Sequence, residues 1–142
     1  MNEKEIRDKI KEKLETEFTD FNVTDFPVNL YDYMPVHPKG ELLIKSLGYR
    51  LNYIMRNRTG DPADWGDLAI TEYHYKIDII LRELRTQEEI FELTETLINK
   101  ISETDIVNCR LYLTDCSEAD YDEEKMFQYR TLIFTIPYFG LT

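Results

Sequence analysis

The segment from Tyr73 to Leu81 constrains the fold more than any other part of the sequence, because apolar residues occupy every second position. A period of two residues is that of a β-strand, whose successive side chains point to opposite faces of a sheet. The sequence therefore predicts a long strand here with one fully apolar face. The apolar positions are Tyr73, Tyr75, Ile77, Ile79 and Leu81, and they alternate with His74, Lys76, Asp78, Ile80 and Arg82.

Two amphipathic helices are predicted on either side of this strand. Near the start of the chain, apolar residues recur every four positions among Glu and Lys, which places them on one face of a helix. They are Ile6, Ile10, Leu14 and Phe18. The second helix is predicted to begin at a capping box formed by Thr86 and Glu89 and to end between Ser102 and Asp105. Its apolar stripe is Ile90, Leu93, Leu97, Ile98 and Ile101.

The remaining strands are indicated by shorter patterns. Phe21 and Val23 suggest a brief strand, and the Pro- and Gly-containing residues 26–40 suggest an irregular connection. Glu41 to Tyr49 is predicted to be a strand buried on much of both faces. Residues 107–113 and 127–135 alternate again, and they predict a hairpin whose wide acidic loop runs from Asp115 to Glu124.

These elements predict a single α+β domain over residues 1–142. Its sheet is expected to be antiparallel or mixed, with about four main strands and two helices packed on one face. The chain is 42% hydrophobic and 13% aromatic, which is enough apolar material for one packed core.

Arg50 to Leu68 shows no clear period and contains Gly60, Pro62 and Gly66, so it is interpreted as a long loop or arm. Tyr, Met and Arg are enriched in the cores of protein interfaces, and they concentrate here. We therefore predict a subunit or partner interface. Contact with nucleic acid and an ordinary solvated loop are the alternatives. The interface residues are Tyr49, Arg50, Tyr53, Met55, Arg56, Arg58 and Trp65.

The net charge of −11 argues against tight binding of nucleic acid, since affinity for the phosphate backbone comes from Lys and Arg displacing counterions. No run of about eighteen apolar residues is present, and the charged N-terminus lacks the apolar core of a signal peptide. Cys109 and Cys116 have neither zinc-type spacing nor a neighbouring His, so they are expected to be buried or neutral thiols. A soluble protein made in a reducing cytoplasm is predicted, with no membrane partner.

No catalytic, cofactor-binding or metal-binding residue is predicted. His37 lies in a turn between Val36 and Pro38, and His74 lies on the polar side of a strand, so neither is expected to act as a catalyst or ligand. The acidic run from Asp115 to Glu124 lacks the central glycine and spacing of an EF-hand loop. The five glycines are scattered, and none forms a phosphate-binding loop.

The segment Pro35-Val36-His37-Pro38-Lys39-Gly40, leading directly into Glu41-Leu42-Leu43-Ile44, resembles the tail terminator (tail completion) proteins of contractile-tailed, Mu-like phages and prophages. The end of the chain is also similar, because the strand Cys109 to Leu113 precedes an acidic loop and a last strand from Phe127 to Phe134. The stretch from Arg50 to Leu68 departs from the usual pattern, in which this connection is shorter.

The resemblance implies a small α+β subunit that forms a ring, commonly a hexamer, at the head-proximal end of the tail tube. The expected partners are further copies of the chain, the tail tube protein and the head–tail connector. Such proteins need no cofactor and are not enzymes, and they pass from the host cytoplasm into the virion tail. The alternative from a different class is an acidic phage- or prophage-encoded module that inhibits a host nucleic-acid-binding protein. A small hydrolase or nuclease using Asp or Glu together with His37 is the third class.

Overall fold

The computed structural model describes residues 2–25, 40–81, 87–102, 105–106, 109–123 and 127–141. Thr86, which was predicted to cap the second helix, and the segment Pro35–Lys39 with His37 lie outside this part of the chain. Within the described residues the protein is α+β, with two α-helices and a mixed sheet of six strands. The α+β prediction is confirmed, and the expected number of about four strands is too small.

The helices are α1 (Glu3–Glu17) and α2 (Gln87–Ser102). The side chain of Asn2 caps α1 by accepting a hydrogen bond from the Glu5 amide at 3.0 Å. The predicted stripes face the core: Ile6, Ile10 and Leu14 of α1 and Ile90, Leu97 and Ile101 of α2 are buried, and Leu93 and Ile98 are partly buried against the same cluster. Each helix therefore turns toward the core the face that its apolar residues, spaced three or four positions apart, predict.

The strands follow the chain as β1 (Asn22–Asp25), β2 (Gly40–Asn57), β3 (Gly66–Leu81), β4 (Asp105–Ile106), β5 (Cys109–Arg110), β6 (Tyr112–Cys116), β7 (Asp120–Asp122) and β8 (Phe127–Leu141). The sheet order is β1-β2-β3-β8-β6, and β7 also pairs with β8. The β1–β2 pair is parallel, whereas the other pairs in this sheet are antiparallel. β4 and β5 form a separate two-stranded sheet.

The core lies between the helices and one face of the sheet. The apolar side of β3 joins the buried residues of both helices in one cluster, together with Leu42 and Ile44 of β2 and Leu132, Phe134 and Ile136 of β8. We call this side the helix face. A smaller cluster on the other face contains Leu43, Ile80 and Phe127. The long alternating strand is thus confirmed, and it lies in the middle of the sheet.

Two sequence-based boundaries are wrong. Arg50 to Leu68 is not a long loop, because β2 continues to Asn57 and β3 begins at Gly66, so most of this stretch is a paired hairpin. The predicted strand 107–113 is only partly correct: Cys109 and Arg110 belong to β5, whereas Tyr112 and Leu113 begin β6, which pairs with β8 as the predicted hairpin requires. Part of the expected acidic loop is also strand, because Asp120 to Asp122 pair with β8.

Candidate functional site

The outer half of the β2–β3 hairpin extends beyond helix α1. Glu3, at the start of that helix, accepts a hydrogen bond from the Ser46 hydroxyl at 2.7 Å and, through its carbonyl, one from the Tyr75 hydroxyl at 2.9 Å. Ser46 and Tyr75 are register partners in β2 and β3. The layer that α1 forms therefore ends at this row, and we call the hairpin beyond it, residues 47–73, the arm.

A bulge marks the base of the arm. The β2–β3 register shifts between Ser46 and Gly48, and a second shift lies between Leu51 and Tyr53. Gly48 has φ of +91°, a left-handed conformation that glycine adopts at low cost and other residues adopt with strain. Such bulges increase the local twist of a strand and re-aim its side chains. They also interrupt the period of two, which explains why the sequence of the arm does not read as a strand.

Three apolar side chains near the base of the arm are strongly exposed. Leu47 is 44% exposed, Tyr49 59% and Leu51 52%. Tyr49 pairs with Tyr73, which belongs to the helix face, and the two ring centroids are 5.3 Å apart. The apolar helix face of the sheet therefore continues onto the arm, beyond the start of α1. An exposed continuation of a buried face is a typical docking surface.

The predicted interface residues all lie on the arm. Arg50 is 70% exposed at its side chain and forms an ion pair with Glu72, whose Oε2 lies 3.5 Å from the Arg50 Nε. Arg56 is exposed near the end of β2. Tyr53 and Met55 lie on β2 between these arginines, in a part of the strand whose side chains are not described.

The tip of the arm is a short connection of eight residues, 58–65, between β2 and β3. A single 3-10 turn, Pro62–Asp64, is capped by the Asp61 side chain, which accepts a hydrogen bond from the Ala63 amide at 3.0 Å. The guanidinium of Arg58 lies 5.7 Å from the centre of the Trp65 ring, a cation–π distance. Trp65 remains 44% exposed, so the tip presents an aromatic surface together with a cation.

The face opposite the helices carries a polar row that sequence reasoning missed. His74 Nδ1 lies 2.9 Å from the Thr135 hydroxyl, and His74 Nε2 lies 3.9 Å from Glu72 Oε2. Sequence distance hides this group, because Thr135 lies 61 residues from His74 and only strand pairing brings them together. The types Thr, His and Glu could in principle form a nucleophile with its base.

The geometry of this group does not match that chemistry. The Thr135 residue is 1% exposed, so its hydroxyl has no open side to which a substrate could bind. The distance between His74 and Glu72 also exceeds that of a hydrogen bond. These side chains instead tie adjacent strands together.

A second polar pair on the same face is buried. Asp78 is 1% exposed, accepts a hydrogen bond from the Thr131 hydroxyl and lies 3.3 Å from the ammonium of Lys76. Burial of a carboxylate is tolerated when a cation and a donor offset its lost hydration. Asp78 therefore serves to hold β3 and β8 in register on this face.

The other residues singled out in the sequence are not brought together. Cys116 is a free, partly exposed thiol in β6. Asp115, Glu118, Asp120 and Glu123 are exposed along the outer side of β8. Within the described ranges, no group of three or more His, Cys, Asp or Glu is arranged to hold a metal ion. Among the same residues, no helix is long and apolar enough to cross a membrane.

No protein-family model matches the chain, and no match is found among characterised proteins.

Proposed function

We propose that this chain is a structural virion assembly protein, a tail terminator whose copies form a ring that caps the tail tube and joins tail to head. The observation that carries the proposal is the arm, a paired hairpin that exposes Tyr49, Leu51 and Trp65 beyond the first helix. A subunit of a closed ring must bury surface against two neighbours, and a projecting hairpin supplies such surface. The resemblance of Pro35 to Ile44 and of the final strands to tail terminators supports the same function.

The proposal assigns the partners and location of the chain. Copies of the chain contact each other through the arm, one face of the ring binds the tail tube protein, and the other face binds the head–tail connector. The ring, commonly a hexamer in such proteins, assembles in the host cytoplasm and becomes part of the virion tail. No cofactor and no tight contact with nucleic acid are involved.

The oligomeric mass of the purified chain tests this proposal. Native mass spectrometry and light scattering are expected to show a ring of several copies, either alone or after addition of the tail tube protein. A chain that remains monomeric at high concentration, and that tail tube protein does not recruit, would overturn it. A monomer that instead binds a basic nucleic-acid-binding protein, in competition with duplex DNA, would favour the inhibitory module.

A double variant tests the role of the arm. Tyr49→Ser with Leu51→Ser removes exposed apolar surface, so it is expected to weaken assembly while changing the free energy of unfolding of the monomer little. Phe91→Ser is the matched control, because Phe91 is 44% exposed on α2, outside the arm. Equal losses of assembly in the two variants would show that the arm has no particular role.

A further inference from the structure

The two long edges of the sheet carry opposite charge. Between Lys45 and Gly60 the chain has four basic residues and no acidic one, whereas between Tyr112 and Glu123 it has five acidic residues and no basic one. The first stretch includes the outer half of β2, and the second comprises β6 and β7. The sheet order β1-β2-β3-β8-β6 places them on opposite sides of the molecule.

We propose that the outer edge of β2 in one copy binds the acidic edge of the next copy, residues 112–123. This proposal rests on the ring function above and specifies its contact. A contact between two different surfaces of identical subunits repeats from copy to copy, and it closes into a ring when the rotation between copies permits.

The outer edge of β2 is available along the arm. β1 pairs only with Glu41 to Ile44, and no other described strand pairs with that edge from Ser46 to Asn57. Arg50 and Arg56 are exposed there. An edge strand that is neither covered nor blocked by proline is a template for association.

The basic side chains of β2 can still bind another copy, although the same hairpin also contains acidic residues. Asp61, Asp64, Asp67 and Glu72 balance the charge of the hairpin as a whole, but Asp67 and Glu72 lie on β3, behind the outer strand. The Arg50 side chain is 70% exposed, although the Glu72 side chain that it contacts is only 15% exposed. Because a guanidinium has five N–H donors, Arg50 can keep this ion pair and still bind a carboxylate of another copy.

The acidic edge, residues 112–123, is suited to bind the basic stretch of β2. β6 and β7 run one after the other along β8, antiparallel to it, and they form the outer boundary of the sheet on this side. Asp115, Glu118, Asp120 and Glu123 are exposed along this boundary. In a chain of net charge −11, an acidic surface repels most of a neighbouring copy and attracts its basic stretch, which selects one orientation.

The contact requires neighbouring copies to be staggered along their strands. Through β3, Arg50 is level with Pro137 of β8, whereas Asp120 is level with Tyr129. Eight residues of strand correspond to roughly 26 Å. The arm of one copy would therefore lie beside the body of the next, and strands inclined to the ring axis would accommodate this offset.

Charge reversal tests the contact. The arm variant carries Arg50→Glu and Arg56→Glu, and the edge variant carries Glu118→Lys and Asp120→Lys. Each alone is expected to assemble about tenfold or more weakly than the native chain, since it places like charges together. An equimolar mixture of the two, and a chain carrying all four substitutions, are expected to recover assembly because the substituted positions then carry opposite charges on the two sides of the contact.

Matched controls separate this contact from general charge effects. Lys9→Glu on α1 and Glu95→Lys on α2 change the charge of exposed sites outside both edges, and they are expected to leave assembly unchanged. Circular dichroism and thermal unfolding establish that each variant folds. If a reversed variant fails to fold, Arg50→Ala with Arg56→Ala provides the milder loss of charge.

The outcomes distinguish this inference from the proposed function. Native chain that forms rings, with neither variant weakened or with no recovery in the mixture, would overturn the contact and leave the ring intact. An edge variant that assembles normally while the arm variant does not would show that the arm binds another surface. A native chain that is monomeric even with tube protein would overturn both.

Discussion

At the scale of single residues, close contact with the backbone of β3 leaves no room for a side chain at Gly40. A Cβ atom added there would lie 2.3 Å from the carbonyl oxygen of Ile80 in the paired strand. We expect Gly40→Ala to destabilise the fold by about 1–3 kcal/mol, because backbone must shift to admit the methyl group. Thermal or urea unfolding measures the change. Gly66→Ala is the control, since no atom lies within 4 Å of its added Cβ, and an equal loss there would refute the explanation.

Tyr75 joins the central strand to the start of α1, and it makes stability depend on pH. Burial, with a further contribution from the nearby Glu3 carboxylate, raises the pKa of its phenol above the ordinary value. The unfolded chain releases this proton above about pH 10, while the folded chain retains it. Its contribution is therefore present below about pH 10 and is lost as pH rises toward the folded pKa, by up to about 1.4 kcal/mol per pH unit.

Tyr75→Phe tests this linkage. We expect the variant to lose about 1 kcal/mol at neutral pH, because the hydrogen bond to Glu3 is gone, and to lose less stability than the native chain between pH 10 and 11. Urea unfolding as a function of pH measures both effects. Tyr112→Phe, on an exposed ring, should keep the native pH profile, and identical profiles for all three proteins would contradict the assignment.

Many residue-level features follow from the sequence. The buried faces of α1, α2 and β3 agree with the spacing of residues such as Ile10, Leu97 and Ile77. A helix or strand that packs on a core with one face must have apolar residues at the period of that helix or strand. The His74–Thr135 contact does not follow from it, because pairing between β3 and β8 joins distant parts of the chain.

At the scale of elements, the arm shows why a strand can escape detection. Alternation appears where one face is buried and the other is solvated, but Tyr49, Arg50 and Leu51 are all exposed in succession. Two register shifts then displace the pattern further. The hairpin therefore resembles an irregular loop in sequence, although β2 and β3 pair continuously from Gly40 to Asn57 apart from these bulges.

The two halves of β2 are expected to differ in amide exchange. Outward amides between Glu41 and Ile44 are covered by β1, whereas those from Ser46 to Asn57 have no paired strand among the described residues. In the unassembled chain we expect the outer half to exchange faster, since exposed backbone groups open at lower free energy. Hydrogen exchange by mass spectrometry measures this. If assembly leaves the outer half as unprotected as before, the arm does not lie in a contact.

At the scale of the whole molecule, salt should act in opposite directions on folding and assembly. Screening reduces the repulsion within a chain of net charge −11, so the Tm of the monomer is expected to rise with salt. The same screening weakens contacts between basic and acidic edges, so the ring is expected to dissociate more readily. Thermal unfolding of dilute chain and native mass spectrometry at several salt concentrations measure the two trends. Assembly that strengthens with salt would instead indicate an apolar contact.

The assembly surface depends on strand order as well as on local pattern. The basic stretch after Lys45 and the acidic stretch after Tyr112 are both visible along the chain, and the first was predicted to be an interface. Their position on opposite edges of the sheet requires β3 and β8 to lie between them. Pairing of strands far apart in sequence depends on packing of the whole core, so charge patterning alone does not reveal it.

Local patterns along the chain were sufficient for the α+β class, the two helices, the long central strand and the concentration of Arg and Tyr after Lys45. These features depend on the spacing of the apolar residues that a helix or strand turns toward the core, and that spacing can be seen within one short segment of sequence. Folding in three dimensions decided the six-stranded order, the extension of β2 into the arm and the pairing of β6 with β8. Those features depend on contacts between distant segments, whose free energy no short stretch of sequence contains.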